Sequence, residues 1–74
     1  MRRIFSSQLR DDLAASFHAE LQKNRIINIP VLAEQIRKRN ETENVALEDI
    51  SEWLMHYAKS ANAAMVFERP ALDA

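Results

Sequence analysis

Residues 45–65 read VALEDISEWLMHYAKSANAAM, and this stretch decides the fold. At 100° per residue, Trp53, Ala46, Ala64, Tyr57, Ile50, Ala61, Leu54, Leu47, Met65 and Ala58 fall within one arc of roughly 140°. No polar side chain enters that arc. The opposite side carries Glu48, Asp49, Glu52, His56, Lys59 and Ser60, and Met55 is the only bulky apolar residue among them. Glu48, Asp49 and Glu52 come early and Lys59 comes late, the order that a helix dipole favours. The spacing predicts an amphipathic helix over 45–65.

Two shorter helices are expected upstream. Between Ser7 and Lys23, Leu9, Leu13, Phe17 and Leu21 recur every four residues beside Ala14, which is helical rather than strand spacing. Ser6 or Ser7 can cap this helix. Asp11 and Asp12 lie early in it, on the side of the dipole that suits acids, and Lys23, Asn24 and Arg25 close it. A β-branched segment, Arg25-Ile26-Ile27-Asn28-Ile29-Pro30, follows. Asn28 is a suitable cap for a second helix over 29–39, with Pro30 tolerated in the first turn and Ile27 placed to staple onto Leu32. Leu32, Ala33 and Ile36 form the inner side of that helix. Asn40 is the residue expected to take the left-handed, helix-ending conformation, since the chain contains no glycine. These readings give an all-α three-helix bundle, with a minimal two-stranded pairing of about 26–28 with 65–67. The expected core is Leu13, Phe17, Leu32, Ile36, Ile50, Leu54 and Tyr57. An arm over 1–6 precedes a single domain over 7–68, and a tail covers 69–74.

The order of helix, Ile-rich extended segment, second helix opening Ile29-Pro30-Val31-Leu32-Ala33-Glu34-Gln35-Ile36, and long third helix resembles a helix-turn-helix core. With the paired strands added, residues 7–68 look like a truncated winged helix. The resemblance is carried by element order and by Leu32, Ala33 and Ile36. The connector Asn40-Glu41-Thr42-Glu43-Asn44 departs from it, being longer than the usual turn and lacking its glycine. The resemblance implies a DNA-reading role in which the third helix enters the major groove with its first turns. Those turns carry Glu48, Asp49 and Glu52 after Glu41 and Glu43, with no basic residue between 41 and 52. Facing a polyanion, these acids oppose the counterion release that drives binding. The candidates for phosphate contacts are Arg2, Arg3, Arg37, Lys38 and Arg39. The simpler reading of Arg37–Arg39 is that they complement a helix C-terminus and pair with nearby acids.

Composition narrows the other possibilities. A chain of 74 residues makes one small unit, and at this length the margin of stability is thin. The absence of cysteine rules out disulfides and thiolate zinc sites. A net charge of -1 gives no bulk attraction to nucleic acid or anionic lipid. No run of apolar residues approaches a membrane span, and the N-terminus lacks the apolar segment of a signal peptide, so a cytoplasmic location is the default expectation. His18 and His56 lie on expected solvent sides, and neither has a second histidine three or four residues away, so no metal or cofactor is expected. Without glycine there is neither a phosphate-cradling loop nor a nucleophile elbow, so enzymatic activity is not expected. What is left is a small interaction domain that docks a protein partner or a second copy of itself, with helix-turn-helix DNA binding as the alternative. Trp53 at the edge of the apolar arc, Met55 outside it, and Phe5 and Phe67 flanking the helices are the interface candidates, because aromatic and Met side chains are enriched in interface centres.

Overall fold

The computed structural model describes residues 5–68. In order they form helix α1 (Ser7–Asn24), strand β1 (Ile26–Asn28), helix α2 (Ile29–Arg39), a single 3-10 turn (Glu41–Glu43), helix α3 (Leu47–Ser60) and strand β2 (Ala64–Val66). The molecule is therefore mostly helical with a small two-stranded parallel sheet. Ile26 pairs with Ala64, Ile27 with Met65 and Asn28 with Val66. Parallel pairing demands a crossover, and α2 and α3 together supply it.

The helices begin and end for local reasons. Ser6 caps α1, its hydroxyl accepting the backbone N–H of Leu9 at 3.1 Å. The same hydroxyl donates to Glu43 Oε2 at 2.8 Å, which ties the start of α1 to the 3-10 turn. Because α1 starts at Ser7, no acid stands in its first turn. Asp11 and Asp12 thus lie beyond the reach of the dipole effect expected of them, which fades within one turn. Arg25 ends α1 in the left-handed region at φ 64°, with its N–H on Leu21 O at 2.8 Å.

The expected end of the third helix is corrected by five residues. α3 stops at Ser60 because Asn62 turns left-handed at φ 59°. Asn62 N–H then reaches Lys59 O at 3.1 Å and Ala63 N–H reaches Ala58 O at 2.8 Å. That paired closure satisfies the last carbonyls of the helix, and asparagine takes the place glycine usually has there. Ala64 and Met65, assigned by periodicity to the helical arc, are strand residues, so β2 is Ala64–Val66 rather than 65–67. At the other end Ala46 is the cap residue and Leu47 the first helical one. Asn40 is also corrected. It sits at φ -123°, and Asn44, four residues on, is the one that turns left-handed at φ 55°.

The core holds Phe5, Leu9, Leu13, Phe17, Ile27, Ile29, Leu32, Ala33, Ile36, Ile50, Leu54 and Ala58. It contains every residue expected there except Tyr57, which is half-buried against it. Ile27 and Leu32 are both buried in the core. Each helix contributes one apolar stripe and β1 contributes Ile27, so the core is a single cluster shared by all the helices.

The two helix caps make unequal contributions. Asn28 precedes α2 but makes no side-chain cap bond, and its Oδ1 is buried with no hydrogen-bond partner among the described residues. Ser6→Ala is therefore expected to cost about 1 kcal/mol, the usual worth of a cap. Asn28→Ala should cost less than about 0.5 kcal/mol, since deleting an unsatisfied group forfeits no bond. Urea melts of the two variants check the ranking. Equal losses would show that Asn28 caps α2 after all.

Candidate interaction surface

Two features bind the helices into one frame and leave a third part of the surface open. The first is a polar clamp between α1 and the end of α2. Asp12 accepts from Arg39 Nη2 at 2.9 Å, Arg39 Nε at 3.2 Å, Asn40 Nδ2 at 2.8 Å and the Ser16 hydroxyl at 3.1 Å. Arg39 Nη2 also donates to Ser16 Oγ at 2.6 Å, and Asn40 Nδ2 to the Ile36 carbonyl at 2.8 Å. The Arg39 guanidinium holds the Asp12 carboxyl below its ordinary range, with help from Asn40 and Ser16 and against the opposing effect of burial. Asn40, the one buried polar residue of the described chain, thus has its amide nitrogen bonded twice.

The second feature is a row of aromatic rings. Phe5 stacks on Trp53 at 6.3 Å, Trp53 meets Tyr57 edge-on at 4.3 Å, Tyr57 meets Phe17 at 5.3 Å, and Phe17 meets His18 edge-on at 6.0 Å. These rings bridge the segment before α1, α1 itself and α3. Offset and edge-on contacts of this kind add about 0.5–1.5 kcal/mol per pair beyond area burial.

The rows and clamps decide which interface candidates remain on the surface. Phe5 is buried under Trp53, and Trp53 is half-buried against the core. Met55, expected outside the apolar arc, is half-buried and packed on the core as well. Phe67 is 57% exposed. Ile26, which periodicity did not single out, is 43% exposed. Alternation along a strand explains Ile26: Ile27 points inward and is fully buried, so Ile26 must point outward. The register puts Ala64 and Val66 on that same outward side, across from Ile26 and Asn28. The outer side of the sheet is therefore apolar at Ile26, Ala64 and Val66 beside Asn28, and exposed Phe67 follows directly after β2.

Of the phosphate-contact candidates, Arg37 and Lys38 are exposed at the end of α2, Arg39 is held by Asp12, and Arg2 and Arg3 lie outside the described residues. His18 and His56 are both exposed. Among the described residues no group of three or more His, Asp or Glu side chains is placed to hold a metal ion, and no helix is long and apolar enough to cross a membrane. No family model, curated protein or solved structure matches the chain. Function must be read from the surface itself.

Proposed function

We propose that this chain is a non-enzymatic protein-interaction domain that docks a partner through the outer side of its two-stranded sheet. The observation that carries the reading is the joint exposure of Ile26 and Phe67 beside Ala64 and Val66. Large apolar side chains exposed singly are ordinary, but a contiguous apolar strip on an open sheet is a frequent docking element. In this reading the helices form a three-helix bundle of helix-turn-helix outline whose task is to hold the strip rigid. Trp53 and Met55 pack against the core and are not contact residues in this reading. DNA reading is disfavoured by the acids of Glu41, Glu43, Glu48 and Glu52, and by the engagement of Arg39 with Asp12.

The test is a comparison of the parent with an Ile26→Ser/Phe67→Ser double variant. Self-association is followed by analytical ultracentrifugation over a wide concentration range, partner retention by affinity capture, and the fold by circular dichroism. Loss of true anchors typically costs about 2 kcal/mol or more, roughly thirtyfold in Kd. The double variant is expected to keep its helical spectrum and to lose association or capture by about that factor. A parent that stays monomeric, together with a double variant that retains every captured protein, removes the sheet from consideration.

A further inference from the structure

The chemistry of the partner can be read from what borders the apolar strip; the inference rests on the docking role just proposed. Because β1 and β2 are parallel, both begin at the same end of the sheet, and two helices finish there. The last turn of α1 brings Lys23, and Arg25 directly precedes Ile26. The last turn of α3 brings Lys59, whose carbonyl closes the turn into Ala63 and Ala64. All three basic side chains are exposed, and none forms an ion pair among the described residues. The acid nearest to them in sequence, Glu20, accepts from Asn24. Glu41 and Glu43 lie in the 3-10 turn and Glu48 and Asp49 at the start of α3, while exposed Glu68 follows Phe67 past the other end of β2. The chain is nearly neutral overall, yet this end of the sheet carries positive charge beside apolar side chains.

Helix dipoles account for the sign of Lys23 and Lys59, since cations suit helix C-termini. They do not account for the clustering, which follows from parallel pairing and brings two helix ends and Arg25 together. A second copy docked on this surface about a two-fold axis would bring like charges toward each other, which disfavours it. We propose that the surface takes an extended, acidic segment of another protein, added along the sheet. Its main-chain groups would bond to a strand edge and its apolar side chains would lie on Ile26, Val66 and Phe67. Its carboxylates would meet Lys23, Arg25 and Lys59. Strand addition of this kind draws affinity from the main chain and specificity from alternate side chains.

The experiment uses the whole chain, labelled with nitrogen-15, and three probes. One is a capped hexapeptide alternating Val and Glu, the second its Val and Lys counterpart, and the third vesicles of phosphatidylglycerol. The Val/Glu peptide is expected to give saturable amide shifts confined to 25–28 and 63–68. Its binding should weaken about tenfold in Lys23→Glu/Lys59→Glu, both exposed positions, with the helical fold checked by circular dichroism. The Val/Lys peptide should not saturate. Equal response to both peptides, absence of saturable shifts with either, or binding to vesicles alone overturns the acidic-segment proposal. The docking surface itself fails on a different result, unchanged association and capture in Ile26→Ser/Phe67→Ser, so the two failures are told apart.

Discussion

Leu54→Ala is expected to cost about 2–5 kcal/mol, the range for deleting a buried leucine side chain whose surroundings relax only in part. Leu54 is fully buried in α3, and the core it fills draws on all three helices and β1. The neighbours are unable to close the cavity without moving a helix, which places the loss toward the upper part of that range. Domains of ordinary size hold about 5–15 kcal/mol in total, and short ones lie at the low end, so the substitution removes a large fraction of the margin. For a domain of this length the melting temperature should fall by at least about 10 °C. Differential scanning calorimetry checks it. A variant that melts within a degree or two of the parent would mean that Leu54 does not face the core.

The second large effect is expected at the clamp. Asp12→Ala removes the acceptor shared by Arg39, Asn40 and Ser16 at once. Asn40 is buried and keeps only the Ile36 carbonyl for its amide group, so it is left under-bonded. The loss should be about 1–3 kcal/mol at neutral pH. It should also depend on pH in a defined direction. The Arg39 guanidinium favours the ionised form of Asp12 and holds its carboxyl below the ordinary value in the folded chain. Its contribution is therefore fully present above the unfolded-state value and fades as pH falls through the folded one. Urea melts of parent and variant should differ most near pH 7 and converge as the pH falls through the lowered folded-state value of Asp12. A difference that stays constant down to the lowest pH would assign the loss to packing, not to the charge-assisted bonds.

The parts of the fold that were legible in the sequence are those fixed by periodicity. Leu9, Leu13 and Phe17 on α1, Leu32, Ala33 and Ile36 on α2, and Ile50, Leu54 and Ala58 on α3 each repeat at helical spacing, and each set is buried. What was not legible was decided by single backbone conformations or by contacts distant in sequence. Asn62 ends α3 by turning left-handed, but a helical stripe continues through Ala64 and Met65 because small and apolar residues suit strand and helix alike. Asn40 reads as a helix stop, and its side chain instead serves the clamp, for which the partner Asp12 lies on another helix. Met55 reads as exposed from the wheel of α3 alone, whereas neighbouring elements cover part of it. The candidate surface was half legible. Phe67 was named from composition, but Ile26 needed the register of the sheet, which a three-residue strand does not announce.

The pairing of β1 with β2 also sets an order of events. The two strands lie at opposite ends of a segment that includes all of α2 and α3, and each pairs through only three residues. Closing so long a loop costs chain entropy before the pairing returns anything, so the helices should consolidate first and the sheet should join last. The last element to form is usually among the first to open, and transient separation of the strands should be the lowest-energy excursion of the native chain. A ligand that binds only the closed sheet would suppress that opening in proportion to its free concentration over its dissociation constant. Occupancy would then register as slowed amide exchange at 26–28 and 64–66, while the helical amides continue at their own pace.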